Sequence, residues 1–356
     1  MTSKDGTQLR GSLKVAASAR LLRDLTTTPE LRAKDALGNM SPLSNPTRLL
    51  PVKIKHERIE SFGAIREGPP TCSRLGSWGM ASPNQTQELF FEERNKSGHL
   101  TILFLHGAGS CHLEWNAVAS DAVLASHHLI LVDLPHHSGS RDLISFSLET
   151  AADAVANVIT KHAHGGKAHV VGMSMGGFTA LELVARHPHV VSSCFSSGAM
   201  PYQGVYKWFM QHPSALGAMN FVINRIPGLN ELVERKQGLV VSPALKEAMV
   251  QNRSKALSAE VSDALGNRFG WETVERVANS GVRTCVVAGA KMDQVDGVKE
   301  MGRVLREAGQ KKGVNNAAVV VQEAVHWWNI QLPGLFAHGV NAWVNSEKLP
   351  ADFKDL

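Results

Sequence analysis

Apolar and polar positions alternate in blocks along this chain, and the blocks change period. From Glu88 onward, short apolar runs are separated by stretches with helical spacing. Glu88–Arg94 and His99–Leu105 read as two strands around the turn-like Asn95–Gly98. His128–Leu134 is a continuous apolar run suited to a buried parallel strand. Ser147–His162 places apolar residues at Leu148, Ala151, Ala152, Val155, Val158 and Ile159, the spacing of one helix face. Lys167–Met173 is the next strand, and Met175–His187 a helix stopped by Pro188. Val190–Ser197, Thr284–Ala290 and Ala317–Gln322 are further strands, and Asn329–Val344 a closing helix. Strands alternating with helices predict an α/β fold with a mostly parallel, doubly wound sheet.

Two segments break this rhythm. Residues 1–79 are rich in Ser, Thr, Pro and Arg and have few apolar stretches, so a disordered basic leader is expected. Leu9–Leu25 could form one basic, weakly amphipathic helix. It fits a mitochondrial transit peptide or a leader without a role, and Met80 is an alternative start. Residues 199–280 are helical and hold Tyr202, Tyr206, Trp208, Phe209, Met210, Leu216, Met219, Phe221, Ile223 and Ile226. That insertion is expected to be a lid, the alternative being a helical subdomain with its own core. The expected organisation is a leader over 1–79, a core over 80–198, a lid over 199–280 and the rest of the core over 281–356.

Composition narrows the class. The chain has 356 residues, 43% of them hydrophobic and 19% charged, which excludes a wholly disordered or fibrous protein. Lys and Arg number 37 against 32 Asp and Glu. Residues 1–60 hold 11 of the basic and 6 of the acidic groups, leaving 26 of each elsewhere. A neutral body argues against a nucleic-acid partner. No run reaches the roughly 18–20 apolar residues that span a bilayer, so no stable membrane insertion is expected. Cys72, Cys111, Cys194 and Cys285 are scattered without a CxxC pair, so neither zinc nor a redox motif is indicated. Reduced thiols and no secretory signal suggest a cytoplasmic protein. The pairs His127–His128 and His136–His137 do not read as metal ligands, because neighbours on a strand face opposite ways.

Candidate chemistry centres on Gly172-Met173-Ser174-Met175-Gly176-Gly177, a GxSxG pattern between a strand and a helix. Such a turn lifts the serine hydroxyl clear of the sheet at a helix N-terminus. A serine needs a base. His326 follows the last strand, whereas His338 falls inside the closing helical pattern. The base needs a carboxylate, and Asp293 follows the Thr284–Ala290 strand, with Asp296 the second candidate. His106-Gly107-Ala108-Gly109 follows a strand and offers small residues near a substrate. The N–H groups of Ala108 and Met175 are the expected oxyanion donors. His106 is expected to close its loop by hydrogen bonds. Gly109, Trp115, Trp208 and Trp327 are candidates for the substrate wall, and Trp327-Trp328 could equally pack the final helix.

In combination these residues resemble the α/β-hydrolase superfamily over roughly 88–344. HGAG with Trp115 downstream, Asp133-Leu134-Pro135, GMSMGG, the strand end at Asp293, and His326 followed by Pro333 all fall in family order. Relatives often read D-x-P-G-H-G-x-S where this chain has Asp133-Leu134-Pro135-His136-His137-Ser138-Gly139-Ser140. The family acid usually stands three residues after a strand-end glycine, whereas Asp293 is four after Gly289. A serine at the elbow disfavours haloalkane dehalogenase and epoxide hydrolase chemistry, which the family runs from an aspartate. The resemblance implies a serine hydrolase acting on an ester or thioester of a hydrophobic small molecule, with no cofactor. A C–C bond hydrolase or lyase with the same triad is the alternative. A non-catalytic binding protein on the same scaffold is a third. Oligomeric state is not legible.

Overall fold

A computed structural model of the chain describes residues 88–212, 214 and 228–356. The expected leader, its Leu9–Leu25 helix, Met80, Cys72 and the lid residues Leu216, Met219, Phe221, Ile223 and Ile226 lie outside the described residues.

The strands are β1 (Phe91–Arg94), β2 (Thr101–Leu105), β3 (His128–Val132), β4 (Ala168–Met173), β5 (Val191–Ser197), β6 (Arg283–Gly289), β7 (Ala317–Val321) and β8 (Phe353–Asp355). They form one eight-stranded sheet in the order β1-β3-β2-β4-β5-β6-β7-β8. β2 to β7 are parallel; β1 runs antiparallel to β3, and β8 antiparallel to β7. β1 and β2, adjacent in sequence, are therefore separated by β3. The turn after β1 carries the chain across β3 to the inner side of the sheet.

β2, β3, β4, β6 and β7 are buried on both faces because each carries apolar residues at odd and even positions alike. Leu103, Leu105, Ile130, Val170, Val286 and Val320 enter one core cluster. Their neighbours Ile102, Phe104, Leu129, Val171, Val287 and Val319 enter another. The first core is closed by helices including Leu148–His162, Met175–Arg186 and Val295–Lys312, the second by Pro333–Val344. The Leu148–His162 helix starts in a capping box: Ser147 Oγ accepts from Thr150 N–H at 3.0 Å, and Ser147 N–H donates to Thr150 Oγ1 at 3.0 Å. The expected closing helix is split at Leu332, because Pro333 opens a new helix.

Between β5 and β6 run the helices Gly204–Gln211, Leu229–Gln237, Pro243–Gln251, Lys255–Asp263 and Trp271–Asn279. Trp271–Asn279 does not belong to a lid. It packs on the Met175–Arg186 and Val295–Lys312 helices, buries Val274 and Val277 in the core, and gives Arg276 and Thr273 to buried Glu182. It is the crossover helix that a parallel β5-to-β6 connection requires. No helix among the described residues is long and apolar enough to cross a membrane.

Candidate active site

The parallel registers align the carboxyl ends of five strands. Leu105 pairs with Gly172, Gly172 with Ser196, Ser197 with Val287, and Gly289 with Val321. The segments that follow carry Gly107, Ser174, Gly198, Asp293 and His326. Loops at this edge of an open α/β sheet are where ligands bind.

Ser174 sits at φ +52°, ψ −120°, a left-handed conformation that costs a non-glycine residue of order 1–3 kcal/mol. Two glycines let the surroundings impose it. A Cβ on Gly172 would stand 2.2 Å from Gly176 O, and one on Gly176 would stand 2.0 Å from Leu105 O. The backbone is tied down further where Ser174 N–H donates to Ser197 O at 2.8 Å.

Three distant side chains then meet. His326 Nδ1–H donates to Asp293 Oδ1 at 2.6 Å, and Ser174 Oγ–H donates to His326 Nε2 at 2.8 Å. The carboxylate selects the tautomer that leaves Nε2 able to accept. The Asp293 side chain is only 2% exposed. Its second oxygen accepts from Gly289 N–H at 2.7 Å, while Asp293 N–H donates to Gly289 O at 2.9 Å. Asp296 is exposed on the first turn of Val295–Lys312 and makes no such contact. His338 is exposed on the last helix.

Several hydrogen bonds hold the 106–110 loop. His106 Nδ1–H donates to Gly107 O at 2.8 Å, and its Nε2 accepts from Leu134 N–H at 3.0 Å, so His106 closes the loop as expected. Burial keeps its imidazole neutral by lowering its pKa. Gly107 N–H donates to Glu114 Oε2 at 3.1 Å, and Ser110 N–H to Gly107 O at 3.2 Å. Gly109, at φ +71°, donates its N–H to His137 Nε2 at 3.1 Å. His137 can accept there because its Nδ1–H donates to Pro135 O at 2.8 Å, and because burial lowers its pKa to about 3. The N–H groups of Ala108 and Met175 have no hydrogen-bond partner among the described residues.

The tryptophan candidates separate. Trp115 is 0% exposed and packs against Phe104 and Phe336 in the core, so it does not line a substrate wall. Trp208 is 48% exposed on the Gly204–Gln211 helix and stacks on His212 with ring centroids 4.4 Å apart. Trp327 does border the site: a Cβ on Gly107 would lie 3.6 Å from its Nε1 and 3.7 Å from Ser174 Cβ. Trp328 packs inside, donating from Nε1 to Ser197 Oγ at 2.8 Å.

Glu114, His137, Gly198 and Asn252 are site-shaping residues without a sequence signal. Glu114 is buried and joins Gly107 N–H to Asn329 Nδ2, 2.8 Å from its Oε1. Cys111, His112 and Asp133 bring potential ligand atoms within 4.8 Å of one another. The Asp133 carboxylate there already accepts from His112 N–H, His112 Nδ1–H and Gly139 N–H. Burial pushes the Cys111 thiol up to about 11, so this group is a hydrogen-bonded loop anchor and fits a metal poorly. His127 lies just before β3 and His128 opens it, and the two side chains find different partners. His127 faces Asn341, whereas His128 lies between Thr101 and Glu93.

A doubly wound sheet with a strained serine at the β4 elbow defines the architecture of α/β hydrolases. The model of the alpha/beta hydrolase family matches residues 102–339, and the chain belongs to that family. It is 28% identical over 278 residues to an AB hydrolase superfamily protein of Gibberella zeae, across 76% of this chain and 89% of that protein. It is 36% identical over 92 residues to an esterase of Mycobacterium tuberculosis, across 25% of this chain and 30% of that esterase. The solved structure of an esterase from Exiguobacterium antarcticum superposes with a TM-score of 0.56 at 15% identity, covering 72% of this chain and 95% of that one. That likeness is one of fold.

Proposed function

We propose that the protein is a serine hydrolase that cleaves an ester or thioester of a hydrophobic small molecule through an acyl-enzyme. The observation that carries this reading is the unbroken series from Ser174 Oγ to His326 to Asp293, at 2.8 and 2.6 Å. Ser174 Oγ attacks the carbonyl carbon while His326 Nε2 takes its proton. Asp293 holds the imidazole in place and stabilises the cation that forms. The N–H groups of Ala108 and Met175 receive the oxyanion, the latter helped by the positive end of the Met175–Arg186 helix. His326 returns the proton to the departing alcohol or thiol. Water, deprotonated by His326, then releases the acid and restores Ser174. The similarity to a Mycobacterium tuberculosis protein named as an esterase supports the bond type. The apolar character of the 199–280 segment supports a hydrophobic acyl group.

Labelling by a fluorophosphonate probe, alongside p-nitrophenyl esters of increasing chain length and a 1,3-diketone, tests the reading. Label on Ser174 with ester turnover is the expected result. Diketone cleavage without ester turnover would replace it by C–C hydrolysis, and a folded protein with no label would replace it by a binding role.

A further inference from the structure

Asn252 ends the Pro243–Gln251 helix and is buried to 3% exposure, more than 100 residues from its partners in the chain. Its amide is spent on two loops at the carboxyl edge of the sheet. Nδ2 donates to Ser110 O at 2.7 Å and lies 3.3 Å from Gly109 O. Oδ1 accepts from Ser138 N–H at 2.8 Å and from Arg141 Nη2 at 3.1 Å, and Ser138 Oγ lies within 3.2 Å of both amide atoms. The second loop needs such support, because His136 and Ser138 both have positive φ, +64° and +40°.

The two loops end on the two peptide groups that flank Ala108. Ser110, held by Asn252, donates its N–H to Gly107 O at 3.2 Å. Gly107 O belongs to the planar peptide whose other end is Ala108 N–H, so fixing the carbonyl fixes where that N–H points. On the other side, Ser138 is held by Asn252 and adjoins His137, which accepts Gly109 N–H at 3.1 Å. Gly107 and Gly109 flank Ala108, and Asn252 reaches both. We infer that Asn252 is a positioning residue through which the helical segment between β5 and β6 sets the aim of the Ala108 oxyanion donor. The inference rests on the serine-hydrolase reading and deepens it.

No other side chain of this size meets the demands. The site needs two N–H donors toward carbonyls and one acceptor toward an N–H, in one plane. Aspartate keeps the acceptor but turns lone pairs on Ser110 O and Gly109 O. Leucine leaves all the partners unpaired.

The test compares wild type, Asn252→Asp and Asn252→Leu as full chains, with three readouts beside the melting temperature. These are kcat and KM on a p-nitrophenyl ester, the fluorophosphonate labelling rate, and inhibition by an aryl trifluoromethyl ketone. The ketone forms a bond from Ser174 Oγ to its carbonyl carbon, the C=O pair moves onto oxygen, and the Ser174 proton goes to His326. Its affinity therefore reports the oxyanion donors directly. Both variants are expected to lose on the order of 10- to 100-fold in kcat and in ketone affinity, with KM within about threefold. Should the leucine variant not fold, the near-isosteric aspartate carries the comparison. If Asn252→Asp is folded and keeps kcat and ketone affinity within about threefold of wild type, or changes KM alone, the assignment is overturned. A wild type that is neither labelled nor active would overturn the underlying reading instead.

Discussion

Gly198 and His326 occupy the same few ångströms. A Cβ built on Gly198 would stand 2.8 Å from His326 Cε1 and 3.1 Å from Nδ1. Gly198 also has φ +67°, so an alanine there is strained before it meets the ring. Gly198→Ala is expected to push the imidazole off the line between Ser174 and Asp293. Turnover should fall by on the order of 100-fold or more, because small misplacements of a reacting group are costly. The melting temperature should fall only modestly, and a folded Gly198→Ala with near wild-type kcat would contradict this account of the ring's position.

Asp293 and Asp296 give a direct contrast. Asp293→Asn leaves the shape but donates an N–H, or offers a neutral carbonyl, to His326 where a carboxylate now accepts. A loss of roughly 10³- to 10⁴-fold in kcat is expected, from the wrong tautomer and an unsupported cation. Asp296→Asn should change kcat by less than about threefold, since exposed charges away from the chemistry contribute little. Steady-state kinetics on the two variants decides the matter.

Strain at the serine predicts a trade between stability and activity. Ser174→Gly removes the cost of φ +52° at that position. It is expected to stabilise the fold by about 1–2 kcal/mol, less what glycine adds to the entropy of the unfolded chain, while fluorophosphonate labelling disappears. Ser174→Ala, which keeps the strain, should lose label without that gain. Urea unfolding of the three proteins separates the outcomes.

One buried histidine, His137, and one half-buried, His169, set an acid limit on stability. Burial lowers the pKa of His137 to about 3 and that of His169 to about 4, while an unfolded chain would protonate each near its ordinary value of about 6.5. Both are depressed, so the stability they contribute is full above about pH 6.5. It is lost as pH falls from there toward about 4 for His169 and about 3 for His137. At pH 5 unfolding should therefore take up about two protons from these groups, read as the pH slope of the unfolding free energy. Replacing His169, which lies 2.8 Å from Ser193 Oγ, with Gln should remove about one of the two.

Much of the fold is legible because its strands are plain apolar runs. His128–Val132 and Ala168–Met173 are bounded by turn residues and buried as expected. The serine elbow is legible because close backbone packing demands glycine at positions 172 and 176. Strand order is not, since β1 reaches β3 by a contact that no local pattern records. β8 is only three residues with one buried apolar side chain, Phe353, too short for a period. The Val295–Lys312 helix carries no assignment from the sequence pattern, because two of its buried positions, Gly302 and Gly309, are glycines that mute the apolar stripe. Trp115 is in the core and not at the site, because residue type tells nothing of which side of the sheet a ring will face. Asn252 was invisible because its partners lie more than 100 residues away.

The close approach of Gly172 and Gly176 to their neighbours leaves the elbow no slack. With Leu105 O only 2.0 Å from where a methyl on Gly176 would go, this region cannot be redesigned piece by piece. Any reshaping around Ser174 has to begin where the backbone leaves room for a side chain, and at positions 172 and 176 it leaves none.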